Sequence, residues 1–261
     1  MPAPTACLLS ADDPAPVAVV NEEGASPFFL TCVHAGRAIP VRLGNLGVSD
    51  HERARHIGWD IGASGVAQLL SKQLDATLIS QAYSRLVIDC NRALYHSDSI
   101  PVVSENTEIV GNRDLTDEDI TSRVSEIYRP FHDDIVRRLD ARSETGGFSI
   151  LIAVHSFTPV FKGVGRPWHV GLLFNRDPRL AEILDPLIRE DQALCLGINE
   201  PYAISDATDF TIPEHGEKRG ILHVEIEIRQ DLIESADGQV AWANRLSDWL
   251  SRSLGSLSVA G

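Results

Sequence analysis

The stretch Phe148-Ser-Ile-Leu-Ile-Ala-Val-His-Ser-Phe-Thr-Pro159 constrains the fold more than any other. Residues 149–154 are apolar or small, which is the composition of a strand covered on both faces in a parallel or mixed sheet. The chain then turns polar at His155 and Ser156. In open α/β sheets, ligands bind in the crevice at the carboxyl ends of the strands, so His155 is either a site residue or a histidine bonded to a loop carbonyl. A second run, Pro27-Phe-Phe-Leu-Thr-Cys-Val33, also reads as a buried strand and also ends in a histidine, His34. If the two strands are neighbours, both imidazoles face one crevice.

Around these runs, extended and helical patterns alternate without an internal repeat, so the chain reads as one layered α/β domain over residues 1–261. Residues 1–16, rich in Ala, Pro and Asp, read as a loose lead-in. Short strands are expected at 17–20, 77–79, 84–89, 168–174 and 193–196, and helices at 60–74, 179–190 and 238–254. Residues 117–142 read as one long helix kinked at Pro130, and 97–115 as an irregular polar segment beside the site. Ile221-Leu-His-Val-Glu-Ile-Glu-Ile-Arg229 alternates apolar and polar residues, the pattern of a half-exposed strand.

A net charge of -14 argues against nucleic acid as a partner, whereas a small anionic substrate needs only one or two local arginines. The four cysteines are widely spaced and form no CxxC pair; Cys32 and Cys90 lie in apolar runs and read as buried thiols. Neither a secretory leader nor a run long enough to span a membrane is visible, so a reduced, cytoplasmic setting is expected. Oligomeric state is not legible.

Two imidazoles, a carboxylate and an open position make up a catalytic zinc site. No HxxE or HExxH motif supplies the carboxylate. The best candidate is Asp60, in Gly58-Trp-Asp60, which reads equally well as the N-cap of the helix that follows. Arg85 and Arg92 could hold a substrate carboxylate through their planar forks, or form surface ion pairs. Glu225 and Glu227, two apart, share one strand face and could serve as a proton acceptor beside a metal-activated water, or lie on a solvated face. Ser64, in Gly-Ala-Ser-Gly65, lacks the spacing and context of a nucleophile elbow, and Ser156 is not activated by adjacency to His155.

Seven segments in order, His34-Ala-Gly-Arg-Ala-Ile-Pro40, Trp59-Asp-Ile-Gly-Ala63, Ser84-Arg-Leu-Val-Ile-Asp-Cys-Asn-Arg92, Tyr128-Arg-Pro-Phe-His132, Val154-His-Ser156, Asn199-Glu-Pro-Tyr202 and Glu225-Ile-Glu-Ile-Arg-Gln-Asp-Leu232, resemble the N-formylglutamate amidohydrolase family. The resemblance covers residues 30–235. It implies a three-layer α/β/α fold with a mixed, largely parallel central sheet, similar to the zinc carboxypeptidases. It also implies one zinc ion on His34, Asp60 and His155, with Glu227 rather than Glu225 as the catalytic acid/base. Asn91 and Arg92, with Arg85, match a clamp for the substrate carboxylate, and Arg92 counts among the catalytic residues. His132 and Tyr202 match family motifs expected to touch substrate.

The implied activity is metal-dependent hydrolysis of the amide of a small anionic N-acyl amino acid. N-formyl-L-glutamate, giving glutamate and formate at the end of histidine catabolism, is the leading substrate. The rivals are a peptidase or deacylase acting on another N-acyl amino acid, and a metal- or ligand-binding protein without turnover.

Overall fold

The computed structural model describes residues 7–94 and 96–259. In chain order the strands are β1 (Val17–Val20), β2 (Phe28–Cys32), β3 (Thr77–Gln81), β4 (Val103–Ser104), β5 (Thr107–Glu108), β6 (Ile150–Phe157), β7 (Val160–Phe161), β8 (Val164–Gly165), β9 (Val170–Leu173), β10 (Leu196–Ile198) and β11 (Leu222–Arg229). The α-helices are α1 (Asp50–Ala54), α2 (Ala63–Leu74), α3 (Asp117–Arg123), α4 (Arg129–Glu144), α5 (Arg179–Ile188) and α6 (Ala236–Val259). Seven strands form one sheet in the order β1-β3-β2-β6-β11-β9-β10, while β4 with β5 and β7 with β8 form two small hairpins. The inner strands β3, β2, β6 and β11 run parallel; β1 is antiparallel to β3, and β9, which is parallel to β10, is antiparallel to β11.

The strand period of two sorts the side chains between two cores. On β6, Ile150, Ile152 and Val154 pack with α2, α5 and α6, and Leu151 and Ala153 pack on the other face with α4. On β11, Val224, Ile226 and Ile228 join the first core. Glu225 and Glu227 therefore share the face of Ala153 and His155, with which they are in register. Between α2, α5 and α6 on one side and α4 on the other, the sheet is the middle of three layers, as the sequence implies.

Several expectations need correcting. β11 is buried along almost its whole length rather than half-exposed, because it lies inside the sheet between β6 and β9. Its polar residues face an internal cleft instead of solvent. Residues 84–89 are not a strand: Leu86, Val87 and Ile88 are buried, but in turns. The long helix expected over 117–142 is α3, a π-helical segment over Val124–Tyr128, and α4. Pro130 has no N–H to offer the carbonyl one turn back, and the widened turn precedes it.

Residues 1–6 of the expected lead-in lie outside the described residues. The rest is tied down, since the Leu8 and Leu9 N–H groups donate to the Glu126 carboxylate, and the Tyr83 hydroxyl donates to the Pro14 carbonyl. Among the described residues, no helix is long and apolar enough to cross a membrane.

Candidate metal centre and substrate cleft

Because β2, β6 and β11 are adjacent and parallel, their carboxyl ends bring His34, His155 and Glu227 to one place. The two imidazoles meet edge to face with centroids 5.0 Å apart. Asp60 arrives on the loop between β2 and α2. That loop is pinned by the Asp60 N–H, which donates to the His34 carbonyl at 2.9 Å. Asp60 is not a helix cap: α2 starts at Ala63, after Gly62 in the left-handed region at φ 80°. A β-carbon on Gly62 would fall 2.2 Å from the Ile233 carbonyl oxygen, so this turn needs glycine.

The Asp60 side chain is thereby free to reach both histidines. Its Oδ2 lies 2.8 Å from His155 Nδ1 and 3.5 Å from His34 Nδ1. Donor atoms on a tetrahedral zinc ion stand roughly 3.4 Å apart, so these three side chains fit such an ion after a small adjustment.

The second nitrogen of His34, Nε2, is 2.8 Å from Asp89 Oδ1. Asp89 is held in turn by Arg85 Nε and Nη2, at 3.1 and 2.7 Å, and by the Asn91 N–H at 2.8 Å. A carboxylate behind an imidazole is the arrangement that fixes the tautomer of a metal-binding histidine. Across the cleft, Glu225 Oε2 stands 3.6 Å from His155 Nε2. His155, Glu225 and Glu227 form a second buried group able to hold a metal, beside the first group of His34, Asp60 and His155.

Six buried polar atoms of the cleft lining have no hydrogen-bond partner: His34 Nδ1, His56 Nδ1, Asp60 Oδ1, His155 Nε2, Glu225 Oε2 and Glu227 Oε2. Buried polar atoms are almost always paired, so their concentration at one point marks a place built for an ion or a ligand.

The electrostatics divide the acids into two kinds. Burial opposes charge on Asp60, but His34 and His155 outweigh it and hold the carboxyl well below its ordinary range. Burial likewise opposes charge on Asp89, which Arg85 and His34 bring well below. Burial and Arg85 work against a charged His34, yet Asp89 and Asp60 leave its pKa raised. Glu225 and Glu227 are pushed upward by burial, Glu225 to about 8 with His155 opposing, and Glu227 well above its ordinary range with Asp60 adding to the rise. A divalent cation beside them would reverse that tendency.

The cleft of about 480 Å³ is lined by all three candidate ligands, both glutamates, Arg85, Asn91, Arg92 and Tyr202, with parts of the two hairpins at its rim. Arg92 donates to the Thr208 carbonyl and has no carboxylate partner among the described residues. Asn91 is fully engaged: its Oδ1 accepts from the N–H groups of Phe210 and Thr211, and its Nδ2 donates to Asp209. Asn91 thus ties two loops together while facing the cleft.

His132 is placed differently from the expectation of a substrate contact. It does not line the cleft, and both of its ring nitrogens are occupied, by the Cys90 carbonyl and by His215 Nε2, each at 2.8 Å. Its position is behind the Asn91-Arg92 loop.

Sequence reasoning passed over Asp89, Asp209 and Arg166. Asp89 lies in the segment 84–92 that carries the strongest family likeness, but reading this segment as a strand hid its role. Asp209 and Arg166 sit in segments whose local pattern gives no sign of a site.

A family model described as N-formylglutamate amidohydrolase matches residues 26–234. No curated protein matches the sequence. Among solved structures, a gene product of Agrobacterium tumefaciens is similar at 36% identity, with a TM-score of 0.93 over 96% of this chain and 99% of that one. The N-formylglutamate amidohydrolase of Ralstonia eutropha shares the fold at 19% identity, with a TM-score of 0.75 over 95% of this chain and 100% of that one. The match of one family model across the sheet strands β2 to β11, most of the chain, shows that this chain belongs to the N-formylglutamate amidohydrolase family.

Proposed function

We propose that the protein is a zinc-dependent amidohydrolase that cleaves N-formyl-L-glutamate to L-glutamate and formate. The observation that carries this reading is the convergence of unpaired buried atoms from His34, Asp60, His155, Glu225 and Glu227 at the carboxyl ends of three adjacent strands. His34, Asp60 and His155 would hold the ion. When bound, zinc would supply a Lewis acid that brings the acidity of water near neutrality.

The remaining steps belong to the chain. Glu227 accepts the proton of the water that attacks the formyl carbon. It then passes that proton to the amide nitrogen as the C–N bond breaks, leaving formate and the free amine. Glu225, 3.6 Å from His155 Nε2, places a second carboxyl beside that imidazole. Arg92 holds a substrate carboxylate and orients the amide; Arg85, committed to Asp89, contributes positive charge to the same wall. Asn91 fixes the backbone from which Arg92 projects, and Tyr202 lines the cleft. A cytoplasmic role in histidine catabolism follows from that substrate.

Formate release from N-formyl-L-glutamate by the zinc-loaded protein is the direct test. About one equivalent of zinc is expected after purification or on addition; a protein that takes up none overturns the metal reading. Glu227→Gln is expected to retain zinc and lose turnover by at least about 100-fold. Retained turnover would assign the proton transfer to another group.

A further inference from the structure

Arg166 follows the β7–β8 hairpin. Its guanidinium carbon lies 4.6 Å from the ring centroid of Phe161 and 4.7 Å from that of Tyr202, and 5.9 Å from that of Phe157. Phe161 and Tyr202 both line the substrate cleft. One corner of the guanidinium is fixed, with Nη1 donating to the Tyr202 hydroxyl at 2.8 Å and to Thr158 Oγ1 at 3.3 Å. Among the described residues its Nε and Nη2 have no protein hydrogen-bond partner and no carboxylate pairs with it.

The backbone beneath is also held. Arg229, at the end of β11, reaches toward the carbonyls of residues 166, 167 and 168 at 3.4–3.5 Å. An arginine stacked on aromatic rings, held at one corner and unpaired at the other, is organised in advance for an anion.

Arg85 spends Nε and Nη2 on Asp89, which leaves Arg92 as the lining arginine without a carboxylate partner. A substrate with two carboxylates needs a second cation, and the Arg166 guanidinium lies against two rings of the cleft wall, those of Phe161 and Tyr202.

We infer that Arg166 is a specificity-determining residue that binds the second carboxylate of a dicarboxylic N-acyl amino acid, while Arg92 holds the other. The inference rests on the amidohydrolase reading and adds to it a reason for an acidic side chain on the substrate. The Tyr202 ring and hydroxyl hold the guanidinium in place, so Tyr202 is a positioning residue for it.

The test compares N-formyl-L-glutamate with N-formyl-L-glutamine, which differ only in that carboxylate, on the zinc-loaded full chain. The wild type is expected to prefer the glutamate compound by kcat/KM. Arg166→Gln should lower kcat/KM for the glutamate compound about 10- to 100-fold, mainly through KM, and leave the glutamine compound nearly unchanged. Arg166→Lys should restore part of the preference.

Equal losses on both compounds, or a wild type without preference, would overturn the inference. If no N-formyl amino acid is hydrolysed, the amidohydrolase reading fails. Calorimetric binding of glutarate and butyrate then decides the matter: Arg166→Gln must weaken glutarate selectively, and glutarate binding no tighter than butyrate by the wild type overturns the role of Arg166. A variant that does not fold leaves the same wild-type comparisons to decide.

Discussion

Asp89 joins two parts of the site through single side-chain atoms. Its Oδ1 accepts from His34 Nε2 and from the Asn91 N–H, and its Oδ2 takes the Arg85 fork. With Nε2–H committed to Asp89, His34 presents the lone pair of Nδ1 toward Asp60, the orientation a metal ligand requires. Asp89→Asn keeps the shape but removes the charge that orients the imidazole and neutralises Arg85. We expect zinc affinity to fall about 10- to 100-fold, measured by competition with a chelator. Unchanged affinity would reduce Asp89 to a loop residue. A neighbouring contrast is Asp60, whose identity as a carboxylate at a loop–helix junction suits a cap equally well in the sequence. The left-handed Gly62 separates the two readings, because it starts the helix later and releases the side chain.

At the level of elements, the periodic segments were legible and the segment 84–92 was not. β2 and β6 show as buried runs, and helices α2, α5 and α6 show through their apolar spacing. β11 was found as a strand but given the wrong environment, since alternation cannot distinguish a polar face in water from one lining an internal cleft. Leu86-Val-Ile88 looks like a strand because it is apolar, yet its carbonyls are satisfied by side chains from elsewhere. Asn112 donates to Leu86, Arg123 to Val87, His132 to Cys90 and Tyr128 to Arg92, at 2.8 to 2.9 Å. Such partners lie 26 to 42 residues away, beyond any local pattern, and they let a buried loop avoid the cost of unpaired backbone. Tyr128→Phe removes one of these grips. We expect a stability loss of about 0.5–1.5 kcal/mol by chemical denaturation and a rise in KM that exceeds the fall in kcat, because the Arg92 backbone loosens.

Across the whole molecule, stability should depend on two buried histidines that do not line the cleft. His132 Nε2–H donates to the Cys90 carbonyl, so His132 Nδ1 must accept from His215 Nε2–H, and both rings are neutral. Burial holds His132 at about 3 and, with His132 adding to the effect, His215 at about 2. In the unfolded chain both titrate near 6.5, so below that pH the unfolded state binds more protons than the folded one. Their contribution is full above about pH 6.5 and is lost as the pH falls toward 3. The slope approaches roughly 1.4 kcal/mol per pH unit for each ring. Urea titrations between pH 7 and pH 4 should show this decline, and His132→Gln should flatten it; an equal slope in the variant would place the acid sensitivity elsewhere. The pair also bears on how such a scaffold diversifies. The three candidate ligands stand on or beside the sheet, whereas the loop that presents Arg92 is moored to α4 and its approach. A change of substrate range can therefore be made by remodelling the moorings, with the strands untouched. Asp89 touches both halves, through His34 on one side and Asn91 on the other, so any such remodelling has to turn about it.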